Sequence, residues 1–160
     1  MAAADGDVFW ARPRRLRVIV VIATVALCAL TLVGWYGLPA ETRALFTLSQ
    51  KLTLLGTLAT LLLIIVAVAG SYVRADADGL RIRNGLRRHA VPWAQVHKVL
   101  LRRGDPWALL LMKPADGRPF EVDLDAEKRQ LMGIQASDRE LAKTAVAELR
   151  RRHQEYLASR

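Results

Sequence analysis

Apolar residues fill two long stretches of this chain, and the pattern changes abruptly after the second. Val18–Ala40 and Leu52–Val73 each run for more than 20 residues without Asp, Glu, Lys or Arg. At about 1.5 Å per residue, 20 helical residues cover the roughly 30 Å hydrocarbon core of a bilayer. The pattern predicts two membrane-spanning helices, at about 18–38 and 52–73. Trp35 and Tyr36 end the first, at a depth where amphipathic rings favour headgroups. Pro39 discourages further helix. Tyr72 and Arg74 form a second such boundary. Gly56 and Thr60 have the small-xxx-small spacing that permits close helix contact.

After Arg74 the period shortens to two. Leu80 and Ile82 share one face and Arg81 and Arg83 the other. Asn84-Gly85 predicts a two-residue hairpin turn, because such turns need positive φ at their centre. Arg87–Val91 reads as the returning strand, which Pro92-Trp93 breaks. Val96–Arg102 and Trp107–Lys113 read as further strands, and Asp116-Gly117 as another turn. In the next run Phe120, Val122 and Leu124 face one way and Glu121, Asp123 and Asp125 the other. One packed and one wet face mark an antiparallel sheet. Residues 125–136 show no clear strand.

Helical spacing returns at the C-terminal end. Ser137 and Glu140 have capping-box spacing. Leu141, Ala145, Val146, Leu149 and Tyr156 then form one apolar stripe. This predicts a helix over 137–158 that covers one open end of the sheet.

Charge sets an orientation. The 160 residues carry 24 Lys+Arg and 15 Asp+Glu, a formal charge of +9. Arg12, Arg14, Arg15 and Arg17 crowd the start of the first helix, and Arg74, Arg81, Arg83, Arg87 and Arg88 follow the second. The link between them has only Arg43 and Lys51 against Glu41. Positive flanks stay cytoplasmic. The expected organisation is a basic cytoplasmic segment at 1–17, a transmembrane hairpin at 18–73 and a cytoplasmic domain at 74–160. Both termini would lie inside the cell membrane. The competing reading is a cleaved signal peptide that leaves the domain outside. Its apolar run is too long, and Leu38-Pro39-Ala40 lacks the small-x-small cleavage pattern.

The run Asp78-Gly79-Leu80-Arg81-Ile82-Arg83-Asn84-Gly85-Leu86-Arg87-Arg88, followed by Val91-Pro92-Trp93 and Val96, resembles the bacterial pleckstrin-homology-like (PH) domains. More narrowly, it is similar to the family named for a low-molecular-weight protein antigen of actinobacteria, type 6. Members set two membrane helices before such a segment and follow it with a hairpin like Asp116-Gly117-Arg118. The resemblance spans about residues 52–150. It implies two antiparallel sheets packed as a partly open barrel with a C-terminal helix at one end, and a core or corner place for Trp93. The fold class is thus α+β: a two-helix transmembrane hairpin and a mainly antiparallel β domain with a C-terminal helix.

The candidate chemistry is contact, not catalysis. Arg81, Arg83, Arg87, Arg88 and His89 cluster on one predicted hairpin, within reach of anionic lipid headgroups worth on the order of 1 kcal/mol per basic group. The same cluster also reads as a solvated face that supplies topology-setting charge. Trp107 reads either as a core residue or as a candidate interface residue for a partner such as another membrane protein. His89, His97 and His153 lack ligand spacing, so no metal is expected. Glu121, Asp123 and Asp125 read as a solvent face. Cys28 is the only cysteine and reads as a small helix residue. No nucleophile elbow, P-loop or dinucleotide fingerprint is present, so neither enzyme nor cofactor is expected. The bilayer accounts for the basic charge better than nucleic acid does. The expected role is a scaffold or accessory subunit at the inner face of the membrane, with an outward-facing envelope protein or a headgroup-binding module as alternatives.

Overall fold

The computed structural model describes residues 8–114 and 127–160. Arg15–Ala69 form one compact unit, and the described residues on either side of them form the other. The Asp116-Gly117 turn and the 120–125 alternation lie outside the described residues.

The apolar unit is a helical hairpin. Helix α1 spans Arg14–Gly37, the short α2 Ala40–Ala44 and α3 Leu48–Ala69. At 24 and 22 residues, α1 and α3 are long and apolar enough to cross a membrane. Val18, Ile22, Leu30 and Val33 on α1 are 60–70% exposed. Such continuous apolar surface is unfavourable in water and favourable in hydrocarbon. Thr31, Thr53, Thr57 and Thr60 each donate their hydroxyl to the carbonyl four residues earlier, so these polar groups are satisfied within their own helix. The Arg17 guanidinium donates to the Ala69 carbonyl, so the start of α1 lies beside the end of α3. At the far end Trp35 meets Phe46 edge-on at 5.5 Å. Gly56 has no heavy atom within 4 Å of where a Cβ would sit, so within the hairpin α1 is not seated on Gly56.

The second unit is a pair of antiparallel sheets with one helix. Strands β1 (Phe9–Ala11), β2 (Tyr72–Ala75), β3 (Gly79–Asn84) and β4 (Arg87–Pro92) pair in that order. Strands β5 (Val96–Leu100), β6 (Trp107–Met112) and β7 (Glu127–Gln135) form the other sheet. Helix α4 runs over Glu140–Ala158. Leu80, Ile82, Val96, Val99, Leu110, Leu131, Ile134 and Leu149 are all but sealed from solvent and form the core. Trp93 joins them from a 3-10 turn after β4, and its indole N–H donates to the Asp76 carbonyl at 2.9 Å.

Two contacts bring the sheets together. The Asn84 carboxamide donates to the Gln130 carbonyl at 2.7 Å and accepts from the Met132 N–H at 3.1 Å. Gly133 allows β7 to approach β2, since a Cβ there would lie 2.6 Å from the Tyr72 backbone.

The structure departs from the sequence expectations at five places. First, β1 comes from the segment read only as a basic tail, and the second helix stops at Ala69, leaving Tyr72 and Val73 to a strand. Second, residues 127–135 are a strand, the longest of the seven described. A register break, in which Trp107 faces Gln135 while Ala108 faces Leu131, destroys the two-residue period there. Third, the hairpin turn is centred on Gly85-Leu86, because Asn84 already pairs with Arg87. Gly85, at φ +62°, takes the first central position as a type II′ turn requires. Fourth, the Ser137–Glu140 capping box does not form. Residues 136–138 wind as a 3-10 turn, Arg139 is the N-cap, and α4 begins only at Glu140. Fifth, the apolar stripe of α4 contains Ala142 and His153, while Leu141 is half exposed.

Candidate functional site

Strand pairing decides which of the candidate arginines share a surface. Trp10, Arg74, Arg81 and Ala90 are successive cross-strand partners, and Tyr72, Arg83 and Arg88 form the next row. Alternate residues in these strands, among them Ala11, Val73, Leu80 and Ile82, are buried. Arg81, Arg83 and Arg88 therefore project from the outer face, joined by Arg74, Tyr72 and Trp10. Arg87 and His89 belong to the opposite parity. Burial, with the charges of Arg129 on β7 and Arg87, lowers the His89 pKa.

The outer face is aromatic as well as basic. The Trp10 ring lies 5.3 Å from that of Tyr72. The guanidinium groups of Arg12 and Arg74 lie 4.7 and 5.3 Å from the Trp10 centroid, within cation–π range. Asp76 is the acid at its edge, 3.6 Å from Arg74 and 3.5 Å from Arg81. One carboxylate between two guanidiniums leaves the face positive. Arg83 is held by the Gly85 carbonyl at 2.9 Å.

Sequence patterning missed Trp10, Arg12 and Tyr72 as members of this face. The only available signal was the short Phe9-Trp10-Ala11 run, too brief to show a period. Trp107 is partly exposed on β6, opposite Gln135 in the other sheet, and is not part of the face. Among the described residues no group of His, Cys, Asp or Glu has a metal-binding arrangement.

The face of α4 turned away from the sheets is dense in ion pairs. Glu148 accepts from Arg151 and Arg152, which hold its carboxyl down at about 2. Such pairs stiffen a surface helix and offer no reacting group.

No curated protein and no solved structure matches the chain. A family model described as a bacterial PH domain matches residues 71–152, just over half of the sequence. The match runs from the residue before β2 through most of α4, taking in β2 to β7 and leaving out β1. On that match and that architecture, the chain belongs to the bacterial PH domain family.

Proposed function

We propose that this protein is a membrane-anchored, non-catalytic PH module, held at the inner face of the cell membrane by its helical hairpin. Its outer β face docks on anionic lipid headgroups. PH domains are in general interaction modules that bind lipids or proteins. The observation that carries the reading is the pairing of β1 with β2, Phe9 against Ala75 and Ala11 against Val73. Both helices lie between these strands in sequence. A chain that leaves one strand and returns to its neighbour crosses a bilayer an even number of times. The Arg excess at Arg12, Arg14, Arg15 and Arg17 favours the cytoplasmic side for those ends.

The same pairing weighs against signal cleavage. Removal of the first helix would take β1 with it and expose the edge of β2, which natural sheets avoid. The docking face follows from the same strands. Trp10 and Tyr72 stand a few residues from the helix ends, where rings of this type favour headgroups. Arg74, Arg81, Arg83 and Arg88 supply phosphate contacts of about 1 kcal/mol each.

Cysteine accessibility tests the topology. With Cys28 replaced by Ala, a cysteine at Thr42 is labelled from outside intact cells, and one at Ala158 only after permeabilisation. Labelling of Ala158 in intact cells would refute the hairpin reading. Docking is read separately, with the full chain in nanodiscs. Trp10 fluorescence, taken as the difference from Trp10→Phe, is quenched by brominated lipid in anionic discs. It loses that quenching when Arg74, Arg81, Arg83 and Arg88 are changed to Gln.

A further inference from the structure

One end of the second sheet carries a basic cleft remote in sequence from the outer face just described. Its walls are the β5–β6 loop and the first half of α4, and its volume is about 590 Å³. That size is within the range of small-molecule sites. Leu101, Val146 and Ala147 contribute apolar surface, while Arg102, Arg103, Arg139, Lys143 and Arg150 surround it. Glu140 is the single acid in the lining, and it is 2.8 Å from Lys143. The cleft lined by Asp76, Arg151, Arg152 and Glu155 has equal numbers of acids and bases, so an excess of cations is not a general property of the clefts on this domain.

Local structure fixes the backbone that carries these cations, and orients the side chain of Arg150. Gly104, at φ +99°, turns the loop, with the Asp105 N–H donating to the Arg102 carbonyl at 3.2 Å. The turn is tied to the base of α4 by the Ala136 N–H, which donates to the Pro106 carbonyl at 3.0 Å. Arg150 donates its Nε to the Val99 carbonyl at 2.8 Å, which orients the rest of its guanidinium. Among the described residues no acid pairs with Arg102, Arg103 or Arg139. Converging cations repel one another, and a multiply charged anion relieves that repulsion while arginine forks match phosphate oxygens.

We propose that this cleft binds a phosphate group bearing at least two negative charges, on a soluble compound or on a lipid headgroup. Arg150 is its fixed anchor, and Arg102, Arg103 and Arg139 close over it. The test uses the full chain in neutral-lipid nanodiscs, titrated with inorganic pyrophosphate by calorimetry. Binding is saturable and weakens at least tenfold in Arg102→Gln/Arg103→Gln and in Arg139→Gln/Lys143→Gln. Arg81→Gln/Arg88→Gln, on the outer face, leaves it unchanged, which separates this site from the lipid-docking reading. Adding phosphatidic acid to the discs competes with pyrophosphate if the phosphate belongs to a lipid, and has no effect if it belongs to a soluble compound. Absence of saturable binding, or equal affinity in the cleft variants and the wild type, overturns the proposal.

Discussion

The imidazole of His153 lies over the indole of Trp93, with ring centroids 6.1 Å apart and planes 21° from parallel. This pair joins α4 to the turn that follows β4, and both residues are more than nine-tenths buried. Trp93→Ala removes a large core side chain and leaves the Asp76 carbonyl without its indole donor. The expected cost is about 3–5 kcal/mol. Thermal melting of the full chain in detergent checks this, and an unchanged midpoint would place Trp93 outside the core.

The same pair gives the domain a pH dependence. Burial, followed by the charge of Lys113, lowers the His153 pKa, opposed by a bond to the Val96 carbonyl; His97 also acts against its protonation. Burial and the charges of Lys113 and Lys98 lower the His97 pKa in turn. A lowered pKa means that the folded state binds a proton less readily than the unfolded chain. Stability is therefore full above the unfolded value of about 6.5 and declines as pH falls through it, levelling below the folded value. Melting midpoints at pH 8 and pH 5 measure the slope. His153→Phe keeps the stack and flattens the slope; a slope unaltered by this change would assign the effect to other groups.

Asn84→Ala deletes both bonds from the β3–β4 hairpin to β7. The Gln130 carbonyl and the Met132 N–H then lose their partners. The expected loss is about 1–3 kcal/mol, more than an ordinary exposed substitution produces. Asn84→Asp is the informative companion, because it keeps the acceptor for Met132 and loses the donor to Gln130. A melting midpoint between those of Asn84→Ala and the wild type is expected.

Arg139 has φ 48° and ψ −108°, a strained conformation for a residue with a Cβ. Arg139→Gly relieves the steric part of that strain and is expected to raise stability by roughly 1 kcal/mol. In the basic cleft the same change removes a cation. The variant should therefore melt higher and bind pyrophosphate more weakly, a pair of opposite effects that general damage to the fold does not produce.

Features carried by consecutive residues were legible in the sequence. The two apolar helices, the β3–β4 hairpin, strands β5 and β6, and most of the α4 stripe each arise from hydrophobic periodicity over a short window. Capping shows where local reading stops. Thr47 and Gln50 form a reciprocal capping box at the start of α3, with the Thr47 N–H donating to Gln50 Oε1 and the Gln50 N–H to Thr47 Oγ1. Ser137 and Glu140 have the same spacing and form none. Asp138, next to Ser137, is engaged by the Arg14 N–H at 3.1 Å, and Arg139 interrupts the backbone before the helix begins.

Tertiary structure alone decided the rest. A three-residue strand such as β1 has no detectable period, and its place is set by Val73, Arg74 and Ala75, about 60 residues away. Strand β7 buries Leu131 and Ile134, three positions apart, because its register break is imposed by β6. The arginines were visible one by one, but only pairing across four strands put Arg74, Arg81, Arg83 and Arg88 on one face with Trp10 and Tyr72. The basic cleft likewise depends on long-range folding, which brings residues 102–103 beside residues 139–150. Sequence determined the class of each segment, since hydrophobic pattern acts locally. Which segments meet, and so where the charges converge, depends on contacts between distant residues that no local pattern encodes.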